Sequence, residues 1–345
     1  MPEGHSLRRL ALTFDEWFVG STCELTSPQG RFTDGAALLS GRVMGQAHSV
    51  GKHLFLRFDA QGSDDPQGSD TSLWLHVHLG LYGAWKFYGE DDSALAASIG
   101  APRLPDETTE SRLRNLGEMS ALRAPEREDS EPGGSATDSS DRHGSGGWEP
   151  PEPQGAVRVR ITTDRVAADL SGPNQCEVLN QEEVAEVVGR LGPDPLGADA
   201  HEDETAEEFV RRVRASKRTI GELVMDQTVM AGVGNIYRAE GLFRQGISPH
   251  RKGANVSRQR LLALWKDYVD LLEAGVESGD IRTVDTQDKP DEGSEAEKIA
   301  LDLDPESLKW YVYHREGREC LRCGAPIREK EMQGRRLFWC SSCQR

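Results

Sequence analysis

The stretch DQTVMAGVGNIYRAEGLFRQGISP, Asp226 to Pro249, sets a glycine-rich break between two helical patterns. Just upstream, Thr219 and Glu222 have the Thr-x-x-Glu spacing of a capping box, in which side chains satisfy the first orphan N–H groups of a helix. The pattern predicts a helix from Thr219 that stops near Gly232, and a second one, capped by Asn235, that ends near Gly246. Joined by AGVGN, the two form a helix-turn-helix of some kind. Glycines let a backbone approach another group closely, and a helix starting at Asn235 aims amide donors and a positive dipole end at whatever lies before it. A tight turn between two helices, with no ligand at all, accounts for the same residues.

Charge weighs on that choice. The chain carries a net charge of −17, which taken alone argues against a polyanionic partner. The charge is unevenly placed, however. Residues 176–208 hold eleven acidic residues against one basic, whereas residues 211–260 hold eleven basic against three acidic. Residues 305–345 hold nine basic against five acidic. The glycine-rich break lies in the basic part, so an anion, a DNA phosphate, is its expected ligand.

Four of the six cysteines stand at the far end as Cys320-x2-Cys323 and Cys340-x2-Cys343. Paired thiols at this spacing suit a tetrahedral structural zinc ion, Zn2+, with the intervening residues forming a hairpin turned near Gly334. With all four ligands being Cys, no coordination position is left for catalysis. The hairpin carries Lys330, Arg335 and Arg336 beside Phe338 and Trp339, a mixture suited to phosphate and groove contact, though solvated surface charge reads the same way. Cys23 and Cys176 are expected to be buried free thiols.

Toward the amino terminus the period changes to that of strands. KHLFLRF, SLWLHVHLG, GAWKFYG and, from Ala156, AVRVRITT are short alternating runs bounded by glycine, so the first unit is mostly β. Residues 103–155, rich in Ser, Gly, Pro and acids, are expected to be a disordered insertion, and the acidic run from Asp285 to Lys298 reads likewise. Lys52 follows a glycine turn at the head of a strand, where a plain surface lysine is the default. Leu81 and Tyr82 sit between Gly80 and Gly83 in a loop, where apolar side chains either anchor the loop or enter a base stack. His76 and His78 share a strand face without a third ligand, and are read as packing or phosphate contacts.

The chain opens MPEGHSLRRLA, with Leu7, Leu10, Ala11, Phe14 and Phe18 at helical spacing. Removal of Met1 leaves Pro2 with a secondary α-amine, and α-amines titrate at roughly 7.7–8.0. The helix that follows favours the neutral, nucleophilic form of that amine. Glu3 beside it can donate or accept a proton. An amine next to a carboxyl is the equipment for Schiff-base chemistry at a sugar aldehyde carbon. On these two residues alone, Pro-Glu is the start of an ordinary helix.

Together, PEG after Met1, Lys52, DQTVMAGVGNIYRAEGLF and the terminal finger with GRRLFWCSSCQ resemble the formamidopyrimidine-DNA glycosylase and endonuclease VIII family of bifunctional base-excision repair enzymes. The resemblance spans most of the chain outside the acidic insertions. It implies an α+β multidomain fold: an N-terminal β-sandwich with flanking helices, a helix-two-turn-helix domain and a C-terminal zinc-finger β-hairpin. It implies that Pro2 attacks C1′ of a damaged nucleoside, that Glu3 moves protons, and that Lys52, Asn235 and Arg335 grip the phosphates around a flipped nucleotide. Leu81 and Tyr82 would fill the gap left in the helix, and the iminium on Pro2 would permit β,δ-elimination. PEGH with LYGAW resembles the endonuclease VIII branch, which implies oxidised pyrimidines as substrates. An oxidised-purine (8-oxoguanine or formamidopyrimidine) glycosylase and a non-catalytic DNA-binding zinc protein are the two other readings. His5 and Ser6 depart from the family pattern, in which a further carboxylate stands at position 6.

The expected division is a catalytic unit over 1–175, a helix-two-turn-helix unit over 176–284, an acidic linker over 285–309 and the finger over 310–345. No apolar run is long enough to cross a bilayer and no signal-peptide pattern is present. The expectation is a cytoplasmic, nucleoid-associated bacterial monomer whose partner is damaged DNA.

Overall fold

A computed structural model describes residues 2–61, 72–89, 99–100, 148–290, 292–295, 298, 306 and 308–345. The expected insertion falls mostly outside these residues, and its described part, 148–155, forms neither helix nor strand.

The opening helix α1 (Gly4–Trp17) buries Leu7, Leu10, Ala11 and Phe14, with Phe18 just beyond its end, the side chains that its period singled out. They meet a sheet in two halves. Strand β1 (Thr22–Thr26) pairs with β2 (Arg42–Val50) through Thr22 and Cys23, and with β7 (Val157–Thr162) through Glu24 to Thr26. One half continues from β2 to β3 (His53–Asp59), β4 (Leu73–His78) and β9 (Gln175–Leu179). The other runs from β7 to β8 (Val166–Ser171), β5 (Ala84–Gly89) and β6 (Ile99–Gly100). Leu54, Leu56 and Phe58 from the first half and Trp85, Phe87, Val159 and Leu170 from the second share one core with α1. This is the sandwich. A short helix α2 (Thr33–Leu39) contributes Ala36 and Leu39 to the same core, and α3 (Gln181–Gly189) covers the outer face of β3 and β4 through Val184 against Phe55 and Trp74.

A second core gathers helices α4 (Asp203–Arg214), α5 (Ile220–Leu223), α6 (Asn235–Arg244) and α7 (Arg258–Ser278). The Thr219 box is present, with the Glu222 carboxylate accepting from both the N–H and the hydroxyl of Thr219 at 2.8 and 2.7 Å. The helix it starts is far shorter than expected. After Leu223 the chain leaves the helix through Asp226, whose carboxylate accepts from the N–H and hydroxyl of Thr228, and continues in turns to Gly234. An aspartate that bonds the backbone two residues on competes with helix propagation.

The carboxy-terminal hairpin, β10 (Arg328–Met332) and β11 (Arg335–Trp339), turns through Gln333 and Gly334, both at positive φ. Phe338, Ile327, Tyr311 and Val312 pack with Ala239 and Phe243 of α6, which docks the finger on the helical unit. The start of the acidic run is not loose as expected. Asp285 pairs with Arg244 and Arg322, and Asp288 with Arg322, while the Tyr311 hydroxyl reaches both carboxylates. Lys289 and part of the run beyond it are described, but residues 291, 296 and 297 are not.

Candidate active site at the start of helix α6

Residues 3, 51 and 232 are far apart in sequence and meet in space because each is, or adjoins, a glycine. The Gly4 N–H donates to the carbonyl of Gly232 at 2.8 Å. A Cβ on Gly4 would stand 3.0 Å from the Gly232 Cα, and one on Gly51 would stand 2.9 Å from the Ala231 side chain. Gly51 and Gly232 also adopt positive φ, so neither position suits a larger residue. The hairpin turn bearing Lys52 and the amino terminus are thereby pressed against the same loop, AGVGN.

That loop holds an anion, and the anion is internal. Glu3 is fully buried, and its carboxylate accepts from the N–H groups of Gly234 and Ile236, both at 2.8 Å, with Tyr237 at 3.4 Å. The amides expected to meet a DNA phosphate are thus occupied by the glutamate beside Pro2. Gly234, not Asn235, caps the helix. A Cβ on Gly234 would lie 2.4 Å from the Glu3 carboxyl carbon, so glycine is required there by contact rather than by φ. Asn235 is the first helical residue, and its amide donates to the carbonyl of Arg336 at 3.0 Å while its oxygen accepts from Arg238.

Pro2 is buried and Lys52 half-buried beside this cluster. Burial lowers the Lys52 pKa to about 8, with the charges of Arg335 and Arg238 adding to the effect and that of Glu3 opposing it. These four side chains therefore share one electrostatic neighbourhood. Arg238, wholly buried, also donates to the Arg336 carbonyl, and burial holds its pKa at about 10, still charged at neutral pH. Arg336 itself, read with Arg335 as a phosphate contact, is engaged elsewhere, in ion pairs with Glu316 and Glu329. Leu81 and Tyr82 lie in the loop between β4 and β5, Leu81 half-buried and Tyr82 61 % exposed. The structure brings together Pro2, Glu3, Lys52, Asn235 and Arg335, and leaves Leu81 and Tyr82 on a separate loop.

His5 packs edge-on against Tyr237, with ring centroids 5.5 Å apart, and the Ser6 hydroxyl lies 3.2 Å from its Nε2. Burial lowers the His5 pKa to about 4, so a neutral ring stands near the place where the family pattern has an acid.

Three groups escaped the sequence reading. Asp194 accepts from the N–H groups of Gly51 at 2.6 Å and Leu196 at 3.0 Å, tying the Lys52 turn to the segment between the two cores. Glu240, fully buried in α6, accepts from the amides of Tyr311, Val312 and Tyr313 at 2.7, 2.9 and 2.9 Å and from the Thr283 hydroxyl. Arg238 joins Asn235 to the finger. A charged residue inside an apolar run, as Glu240 is within AEGLF, is the one local signal that could have flagged any of them.

Among the described residues, the four thiols of Cys320, Cys323, Cys340 and Cys343 form one cluster, their sulfurs within 4.8 Å of one another. The Cys320–Cys343 and Cys323–Cys340 sulfur separations are 3.9 and 3.5 Å. These residues could hold a single metal ion. No described helix is long and apolar enough to cross a membrane.

Comparison with known proteins agrees with this arrangement. Residues 1–119 match the Formamidopyrimidine-DNA glycosylase N-terminal domain and residues 191–287 the Formamidopyrimidine-DNA glycosylase H2TH domain. Endonuclease 8 1 of Mycobacterium tuberculosis is 37 % identical over 344 residues, covering 100 % of both chains. A Formamidopyrimidine-DNA glycosylase of Prochlorococcus marinus is 33 % identical over 171 residues, 49 % of this chain and 53 % of that one. The fold matches that of Lactococcus lactis Fpg solved in a complex with DNA containing N7-benzyl-Fapy-dG, with a TM-score of 0.63 at 17 % identity over the whole of both chains. MutM (Fpg) from Thermus thermophilus matches with a TM-score of 0.62 at 20 % identity, covering 99 % of this chain and 98 % of that one. The chain belongs to the formamidopyrimidine-DNA glycosylase and endonuclease VIII family, the DNA glycosylases of base-excision repair.

Proposed function

We propose that this enzyme excises oxidised pyrimidines from damaged DNA and then cleaves the abasic strand by β,δ-elimination, working through a Schiff base on Pro2. The observation that carries this reading is the seating of Pro2 and Glu3 against the start of α6 beside Lys52 and Arg335. Once Met1 is removed, the Pro2 nitrogen attacks C1′ as the glycosidic bond breaks, and the base departs. A secondary amine gives an iminium that has no N–H proton to lose, so it stays cationic and acidifies the C2′ proton for elimination. Glu3, its carboxylate oriented by two short amide bonds, moves the protons. Lys52, Asn235 and Arg335 hold the flanking phosphates, and Leu81 and Tyr82 fill the vacated stack.

The four cysteines fit a structural zinc ion. Thiolates about 2.3 Å from a tetrahedral zinc are about 3.8 Å from one another, and the observed separations of 3.5 and 3.9 Å bracket that value. We propose a monomer, nucleoid-associated in a bacterial cytoplasm. Its units are a catalytic one over 1–175 that β9 extends to Leu179, a DNA-gripping helical one to 284, an acidic linker over 285–309 and the finger over 310–345.

The test is borohydride reduction of the enzyme mixed with an abasic duplex. A covalent adduct mapping to Pro2 is expected, and no adduct there ends the lyase reading. Release of thymine glycol and dihydrouracil should outpace that of 8-oxoguanine opposite cytosine. Equal or faster release of 8-oxoguanine would instead assign the enzyme to oxidised purines, the other substrate reading.

Gly234→Ala separates positioning from folding. The added methyl displaces the Glu3 carboxylate from its amides, so base excision should fall by about 10²–10⁴-fold, the range for loss of a positioned acid–base group. The backbone φ of −118° suits alanine, so the fold should persist with a lowered melting temperature from the buried contact, and rates are compared per folded enzyme. Wild-type excision rates in this variant would show that the Glu3 seat is not catalytic.

A further inference from the structure

The outer face of the β2–β3–β4–β9 half bears a ladder of imidazoles that the reaction above does not use. Cross-strand pairing sets His53 opposite His78, Phe55 opposite His76, and His76 opposite Glu177. Helix α3 covers the Phe55 and Trp74 region of this face. The other end borders the Lys52 turn and, through His78, the loop that carries Leu81 and Tyr82.

Along this ladder runs a hydrogen-bonded chain. His76 Nδ1 lies 2.9 Å from Glu177 Oε1, and His76 Nε2 lies 2.8 Å from His53 Nδ1. A carboxylate only accepts, so His76 Nδ1 carries a proton. Two ring nitrogens at 2.8 Å need one proton between them, which leaves two arrangements. In the neutral chain His53 Nδ1 donates to His76, and His53 Nε2 is a bare acceptor. With one more proton, His76 becomes an imidazolium that donates to both neighbours, and His53 presents Nε2–H outward. His53 Nε2 makes no hydrogen bond to any described residue.

We propose that Glu177, His76 and His53 form a proton-linked phosphate subsite beside Lys52: a DNA phosphodiester bound at His53 Nε2 draws one proton onto the chain. The proton comes from solvent, turns an acceptor into a donor, and leaves the positive charge on the buried His76 ring next to Glu177. This rests on the reading of the protein as a DNA-binding enzyme and adds a contact to it.

The groups that face the chain set its resting state. Lys52 precedes His53 on the same hairpin, His78 stands beside it on β4, Glu177 faces it from β9, and from β2 His48 stacks on Phe55 with Arg8 and Arg57 near. Burial, with His76, His78 and Lys52 adding to it, holds His53 at about 3, and burial also lowers His76 and His78. The imidazoles of His53, His76 and His78 are therefore neutral in the free protein at neutral pH. An anion hydrogen-bonded to His53 acts in the opposite direction, favouring the charged form.

The test is the affinity for a short duplex containing a tetrahydrofuran abasic analogue, measured from pH 5.5 to 7 at fixed ionic strength. DNA binding favours the protonated chain, so affinity rises as pH falls, by up to about tenfold per pH unit for one linked proton. Lys52, titrating near 8, keeps its charge throughout this window. Glu177→Gln, an exposed substitution, and His53→Gln should each flatten the profile and bring the pH 5.5 affinity down to near the pH 7 value. A flat wild-type profile overturns the proposal, as does a slope that survives both variants or vanishes only in His78→Gln. Borohydride trapping on the same preparation separates the two levels. An adduct with a flat profile removes the subsite and leaves the enzyme, whereas neither adduct nor binding removes both.

Discussion

A chain carrying one extra residue ahead of Pro2 is expected to lose both base excision and borohydride trapping below detection, while binding an abasic-analogue duplex within a few-fold of the processed enzyme. The extension converts the secondary amine into an amide, which has no nucleophilic lone pair, whereas Lys52, Asn235 and Arg335 stay where they are. Glu3 and Gly4 are locked by bonds to Gly234, Ile236 and Gly232, so the new residue cannot be absorbed by sliding the terminus. Glu3→Gln is the contrasting case. It keeps the amine and the bond to one of the two amides, since the new NH2 cannot accept from the other, but it removes the proposed proton carrier, so excision should drop by about 10²–10⁴-fold while trapping on a preformed abasic site persists. An extended chain that still cleaves would place the nucleophile elsewhere.

The second large effect is expected at the finger. Cys340 is buried, its N–H is held by the side chain of Gln344 at 2.8 Å, and it follows directly on the strand that bears Arg335 and Arg336. Cys340→Ser removes one of the four proposed zinc ligands, and structural zinc in isolated finger peptides is worth about 10–16 kcal/mol of folding free energy. Here part of the hairpin is also held by packing on α6, so the protein should remain folded with the finger loosened. Two proposed DNA contacts are then lost together: Arg335, and Asn235, whose amide is oriented by the Arg336 carbonyl. At about 1.5–3 kcal/mol for each hydrogen bond to a charged group, affinity for DNA should fall on the order of 10²-fold or more. Metal analysis should show less than one zinc per chain. A variant that kept its zinc and its affinity would take the finger out of the DNA grip.

Much of this site was legible in the sequence, and what was not has a common cause. The cysteines announce themselves through local spacing and the buried face of α1 through its period, whereas Pro2, Lys52 and Asn235 read singly as ordinary structure and stand out only when their motifs are taken together. The five sandwich strands that no run suggested, β1, β2, β6, β8 and β9, include Gln175–Leu179, which alternates weakly because none of its five residues is fully buried. The contact between Glu3 and the amides of Gly234 and Ile236 spans more than two hundred residues, and nothing in PEG or in AGVGN states that one is the ligand of the other. A helix start that accepts an anion reads the same whether the anion is external or part of the chain. The acidic run misled for a related reason. Composition predicts disorder when charges lack partners, yet Asp285 and Asp288 find Arg244, Arg322 and Tyr311, which lie far along the chain.

Helix α6 holds Glu3 at one end and, through Glu240, residues 311 to 313 along its length. The consequence appears during synthesis. A ribosome that has made residues 1–175 has already made Pro2 and Glu3, but none of the loop that receives Glu3. The seat arrives only with Gly232 and Gly234, and the arginines of the hairpin arrive about a hundred residues later. A nascent chain that stops short of Gly232 thus carries the proposed nucleophile without the loop that seats Glu3 beside it.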